Sequence, residues 1–162
     1  MPPSILPAEA SHDVAAFTAA ALGPARLTRA AERLRETNSP MTAFAFVALD
    51  AEELCGTIGF WPIRIGAQKA LLLGPLVVAD AWRGKGVGLE LMTHSLAQTD
   101  AAGWDVVLLV GDLDYYARAG FAVAPKAVRM PAPVEAARLL VRGEATLCAS
   151  LSGAVRPAPD LC

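Results

Sequence analysis

Apolar residues return at helical spacing near the start of the chain, at Val14, Phe17 and Ala21. Ser11 or Asp13 stands ready to cap that helix and Gly23-Pro24 to end it. A second helix is expected over residues 25–36, with Leu27, Ala30, Ala31 and Leu34 on one face and Arg29, Glu32, Arg33 and Arg35 on the other, until Asn38-Ser39-Pro40 breaks it. The period then changes to two. Residues 42–49 alternate, with Phe44 and Phe46 on one side; residues 50–53 form a polar turn, and residues 54–65 continue as the hairpin partner. After a turn at 66–68, residues 70–78 are nearly all apolar, as a central strand covered on both faces requires. Gly74-Pro75 interrupts that run. Proline cannot donate to a ladder, so a break, bulge or splay is predicted there.

A glycine-rich loop over 79–86 leads into a helix over 87–101 whose inward stripe is Val87, Leu91, Met92 and Leu96, closed by Gly103. Residues 104–110 read as another apolar strand, so residues 71–110 form a strand–loop–helix–strand unit whose two strands run parallel. A short helical segment at 115–119 ends at Gly120, before a strand at Phe121. Past residue 125 several prolines intervene, with 138–141 and 145–151 as strands or a late helix.

Composition narrows the function classes. A chain of 162 residues is one ordinary domain and can bury a sufficient core without disulfides or metals, so 1–162 is read as a single domain. Its 54% apolar content is high, but much of the excess is alanine, and the longest uncharged apolar run, 70–79, is about half a membrane span; no membrane partner is expected. The opening Met-Pro-Pro-Ser-Ile-Leu-Pro has neither a basic n-region nor an apolar h-region, which predicts a cytoplasmic protein. A net charge of −2 disfavours binding of bulk nucleic acid. Cys55, Cys148 and Cys162 show neither a disulfide framework nor metal spacing, and His12 and His94 lie far apart, so no metal is expected.

The chemistry-bearing stretch is Arg83-Gly84-Lys85-Gly86-Val87-Gly88, set between a buried strand and an amphipathic helix. Alternate glycines let the backbone turn sharply and approach a ligand, while the first helical N–H groups point outward unpaired. Such a helix start favours phosphate, and Arg83 and Lys85 add positive charge beside it. A Walker A loop would need Ser or Thr after Lys85, where Gly86 stands. The dinucleotide fingerprint needs GxGxxG and a later acidic residue at a strand end; here the spacing is GxGxG, and Asp105 begins a strand. A glycine-rich turn without a ligand leaves the two interleaved cations unexplained.

Arg83, Gly86 and Gly88 fill the three fixed positions of Q/R-x-x-G-x-G/A, so the loop resembles the acyl-CoA loop of the GNAT N-acetyltransferase superfamily. Tyr115-Tyr116-Ala117-Arg118-Ala119-Gly120-Phe121 is similar to a second phrase common in that family. Gly23-Pro24-Ala25-Arg26, Leu73-Gly74-Pro75-Leu76 and Gly111-Asp112-Leu113-Asp114-Tyr115-Tyr116 together resemble its bacterial YhbS-like branch. The resemblance implies an α/β fold with a central mixed, mostly antiparallel sheet and a splayed parallel strand pair, flanked by helices. It places the CoA-binding core at about 70–125 and acceptor-shaping helices at about 11–37.

It further implies that acetyl-CoA is the co-substrate, held by Arg83, Gly84, Lys85, Gly86, Val87 and Gly88 at the pyrophosphate and by Leu76, Val77 and Val78 along the pantetheine, with Tyr115 nearby. Tyr116 is the expected acid for the leaving thiolate, and the acceptor is a small-molecule or peptide amine. A homodimer is compatible with it. The general base is not evident: residues 71–78 hold no carboxylate, leaving water, Asp112 or Asp114. A non-catalytic acyl-CoA-binding module of the same fold is the competing reading.

Overall fold

In the computed structural model, which describes residues 2–22 and 29–162, the period-two segments assemble one sheet around which everything else is arranged. Its strands are β1 (Ser4–Pro7), β2 (Phe46–Asp50), β3 (Glu53–Ile65), β4 (Gln68–Val78), β5 (Val107–Val110), β6 (Ala122–Val123), β7 (Val128–Arg129), β8 (Leu139–Arg142) and β9 (Gly153–Pro157). The helices are α1 (Val14–Leu22), α2 (Val87–Ala101), α3 (Leu113–Tyr116) and α4 (Ala145–Ala149). The main order is β1-β2-β3-β4-β5-β8-β6; β3 is long enough to pair with β2 through its first half and with β9 through its last residues. Neighbours on the main path are antiparallel except β4 and β5, which run parallel.

Both faces of the sheet are covered, which explains why β4 and β5 carry almost no polar residues. On one face the inward stripe of α2, Val87, Leu91, Met92 and Leu96, packs on Phe46, Cys55, Phe60, Leu71 and Leu109. The other face gathers Leu34, Ile63, Leu72, Leu108, Val141, Leu151 and Val155. Leu91 is fully buried between the helix and the sheet. Leu91→Ala is expected to cost about 2–5 kcal/mol, seen as a lower urea midpoint at unchanged m value.

The proline signal in β4 is realised as a bulge. Ile58 pairs with Leu76 but Phe60 pairs with Leu73, so Gly74 and Pro75 together face Gly59. The Gly74-Pro75 peptide is cis. On its other edge β4 pairs with β5 only at Leu71↔Val107 and Leu72↔Leu108, although both strands run on. The parallel pair therefore splays from residue 73 onward.

Several expectations need correction. Residues 30–34 form a 3-10 turn in place of the later half of the second helix; that helix's earlier residues 25–28, with the Gly23-Pro24-Ala25-Arg26 phrase, lie outside the described residues. Leu34 is drawn under the sheet, and Asn38 closes the turn by donating to Leu34 O (3.0 Å) and Pro62 O (2.7 Å). The strand expected from residue 42 begins at Phe46, because Thr42–Phe44 coil into a 3-10 turn that still points Phe44 into the core. Trp104 precedes β5, its N–H donating to Thr99 O at the end of α2. In the C-terminal region β8 is the strand, and residues 145–149 are the helix α4, capped by Glu144. β1, β7 and β9 had no sequence signal strong enough to predict them.

Candidate functional site

Backbone parity makes the open edge of β4 usable. The Leu71 N–H donates to Val106 O, toward β5, and the Ala79 N–H donates to Cys55 O, toward β3. In a regular strand the odd-numbered residues would then all face one way; the extra residue at the bulge reverses the parity between these points. Leu76 and Val78 consequently present their N–H and C=O groups to the gap left by β5, while Val77 turns its backbone to β3 and buries its side chain. The result is a short strand edge lacking a partner strand, leading straight into the glycine loop.

That loop is exposed from Arg83 to Gly86. Gly84 and Gly86 have φ of 76° and 85°, left-handed values that favour glycine, and a Cβ built on either would meet nothing within 4 Å. Gly86 is the N-cap of α2 and brings no capping side chain; the first bond of the helix runs from the Glu90 N–H to Gly86 O (3.0 Å). The amides of Val87, Gly88 and Leu89 thus have no partner within the helix. Arg83 reaches back toward Val78 O (Nε at 3.4 Å) and Asp80 (3.3 Å), and the Lys85 ammonium lies 5.1 Å from the centre of the Trp82 ring. Both cations flank the helix start. Val87 itself is core; Gly88 is buried, and a Cβ there would run into Tyr115 Oη.

The two adjacent tyrosines serve different places. Asp112 caps α3 through the Asp114 N–H (3.4 Å), which directs Tyr115 onto the first turn of α2 and Tyr116 into a cleft where β4 and β5 part. Their rings meet edge to face with centroids 5.0 Å apart, and Phe121 backs Tyr116 at 6.0 Å. Gly111 makes room for Tyr116, since a Cβ there would collide with its ring. Burial pushes the Tyr116 phenol up to about 12, with Tyr115 and Asp112 adding to the effect and Arg138 opposing it. Burial also raises Tyr115, against the pull of Arg118.

The cleft encloses about 630 Å³ between the splayed strands, α1, the 3-10 turn at 30–34 and the segment before β8. Leu73 to Leu76, Leu109, Val110 and Tyr116 form its floor; Glu32, Arg35, Glu135 and Arg138 supply charge at its walls. The Trp61 indole N–H donates to Gly74 O (3.0 Å) and fixes the bulge. The sequence puts Arg29, Glu32 and Arg35 on the polar face of the expected second helix without singling any of them out as site residues; the fold brings them to the cleft.

Asp112 is engaged as a helix cap. His94 stacks edge-on against Phe46 at 4.7 Å, and His12 Nδ1 accepts the Glu9 N–H (2.9 Å). Cys55 is buried, which raises its thiol. Among the described residues no His, Cys, Asp or Glu side chains gather in a set of three able to hold a metal, and no helix is long and apolar enough to cross a membrane.

The fold is shared with known proteins. The crystal structure of the N-acetyltransferase YhbS from Escherichia coli in complex with CoA superposes with a TM-score of 0.76, covering 99% of this chain and 92% of that one at 21% identity. A GNAT family acetyltransferase from Brucella melitensis in complex with acetyl-CoA superposes with a TM-score of 0.65 at 25% identity, covering 98% and 97%. By sequence, the uncharacterized N-acetyltransferase YhbS of E. coli K12 is 31% identical over 81 residues, 48% of each chain; the aligned part thus spans about half the length of the curated relatives it matches. The family model described as "Acetyltransferase (GNAT) domain" matches residues 42–123, just over half of the chain and the whole run from Phe44 through the glycine loop to Phe121, and the chain belongs to that family.

Proposed function

We propose that this protein is an acetyl-CoA-dependent N-acetyltransferase that moves an acetyl group to a primary amine by direct attack within a ternary complex. The observation that carries the reading is the continuity of three features: an unpaired β4 edge, an uncapped helix start with flanking cations, and a half-buried tyrosine facing the cleft. Pantetheine amides would pair with Leu76 and Val78, and the diphosphate would rest on the amides of residues 86–89. The glycines at 84 and 86 leave that space open.

The amine lone pair attacks the thioester carbonyl carbon, and a backbone N–H of the β4 edge can stabilise the resulting oxyanion. The C–S bond then breaks, with its electron pair leaving on sulfur. Tyr116 Oη supplies the proton that sulfur takes up, and the proton lost by nitrogen passes to water or to a carboxylate at the cleft wall. Glu32 and Glu135 are the carboxylates there, Glu32 already bound to Arg35 at 3.1 Å. The lack of a carboxylate in β4 favours a second reading, a non-catalytic binder of acyl-CoA. Release of free thiol from acetyl-CoA only in the presence of amines separates the two.

Calorimetric titration with CoA and acetyl-CoA tests the foundation; no uptake of either removes the assignment. Val78→Pro sharpens it, since it deletes an N–H aimed at the open edge and leaves the pairing with β3 intact. Acetyl-CoA affinity should fall about three- to tenfold, the worth of one hydrogen bond. Affinity for adenosine 3′,5′-bisphosphate, which lacks the pantetheine, should not change.

A further inference from the structure

Among the described residues the cleft beside Tyr116 is lined by more guanidinium groups than carboxylates. Arg29, Arg35 and Arg138 face it together with Glu32 and Glu135. Only one ion pair forms among these five in the described residues, from Arg35 Nη1 to Glu32 Oε2 at 3.1 Å. Arg35 is the most enclosed of them, its side chain 14% exposed. Its guanidinium lies against the β4 bulge, where a Cβ on Gly74 would meet Nη2 at 2.6 Å. Its Nε is buried without a hydrogen-bond partner among the described residues, and so is Oγ1 of Thr18 on the same cleft. Arg29 stands close enough for its charge to disfavour that of Arg35, in the direction that burial also works. On the opposite wall the exposed Arg138 is near enough to act on the Tyr116 phenol.

An enclosed guanidinium with one carboxylate partner and a second cation nearby is left with positive charge that an anionic group in the cleft would offset. Planar guanidinium forks are matched by planar oxyanions, which they bind in bidentate fashion. Resting on the acetyltransferase reading above, we infer that the acceptor is a primary amine that carries its own carboxylate, held by Arg35 and Arg29 so that the nitrogen points toward the splay of β4 and β5. A bare polyamine would place its distal cations against these arginines. A long peptide N-terminus would bring a carboxylate close to the amine only where it begins with Asp or Glu.

The test is thiol release with acetyl-CoA and a panel of amino acids, each matched to the amine lacking its carboxylate, to its methyl ester and to the corresponding aminophosphonate. The best carboxylate-bearing member should exceed its decarboxylated and esterified partners by about ten- to a hundredfold in kcat/KM, as loss of a charge-assisted contact implies. Arg29→Gln, at an exposed position, and Arg35→Lys, which keeps charge but not the fork, should bring the ratio near unity while calorimetry shows unchanged acetyl-CoA affinity. Parity in the wild type, a preference for the amine alone or for the aminophosphonate, or a preference surviving both substitutions would overturn the inference and leave the acetyltransferase assignment standing. Failure to take up acetyl-CoA would instead bring down the underlying reading.

Discussion

Replacing Tyr116 with phenylalanine should lower turnover by about 10²- to 10⁴-fold, the usual range for removal of a positioned acid, and leave acetyl-CoA affinity within about twofold. The substitution deletes one oxygen and keeps the ring that packs on Tyr115 and Phe121, so the pocket retains its shape. A phenol pushed up to about 12 keeps its proton at neutral and mildly alkaline pH, so the donor is loaded there. It is a weak acid for an ordinary thiol near 8.5. The same desolvation that raises the phenol raises the proton affinity of a thiolate forming beside it, which narrows the gap where the transfer occurs. The sign of the pH dependence follows: the rate should climb with pH as the acceptor amine loses its proton, with no fall assignable to Tyr116 below about pH 10, since its acid form persists below its raised value. The checks are single-turnover rates of both proteins across pH and calorimetric Kd values. Equal turnover would remove Tyr116 from the mechanism. A matched fall for Tyr115→Phe with no loss of CoA affinity would show that the wrong tyrosine had been chosen.

What could be read in advance was whatever local rules decide. The bulge at Gly74-Pro75 follows from a missing N–H in an apolar run, and α2 from its stripe of Val87, Leu91, Met92 and Leu96 behind a glycine cap; both stand as read. The family resemblance assigns Tyr116 to the acid role and Tyr115 to the cofactor side; the residues themselves could not show which way each ring points, because that depends on the Asp112 cap and on the space at Gly88 and Gly111. The resemblance puts acceptor-shaping helices at about 11–37, but which of their side chains line the cleft could not be read. Arg29, Glu32 and Arg35 alternate with Ala30, Ala31 and Leu34 as on an exposed amphipathic helix, and only contact with the bulge gives Arg35 its enclosed position. β9 was equally hidden. Gly153–Pro157 has weak strand character and is held by pairing with residues almost a hundred positions away, at Ile63 to Ile65.

Gly86→Glu should weaken acetyl-CoA binding by about a hundredfold or more and barely change stability, and it is this pairing of effects that tests the anion site. The left-handed φ of 85° at Gly86 penalises a side chain by about 1–2 kcal/mol. A carboxylate at the N-cap of a 15-residue helix recovers about 0.3–1 kcal/mol of that through the helix dipole. The new side chain meets no steric neighbour within 4 Å. Against a bound diphosphate the same carboxylate is a like charge in the space the ligand needs, and a pair of unit charges at about 4 Å near a protein surface repels by about 4 kcal/mol. Gly86→Ala, which carries the backbone penalty without the charge, should lose less than about tenfold, and added salt should narrow the difference between the two variants. Gly88→Ala sets the contrast, because its Cβ would collide with Tyr115 Oη and force the ring or the helix to move. It should cost about 1–3 kcal/mol of stability and reduce binding only as far as Tyr115 is displaced. Thermal unfolding with and without CoA distinguishes these cases. If Gly86→Glu binds acetyl-CoA as tightly as the parent protein, the diphosphate does not sit on the first turn of α2.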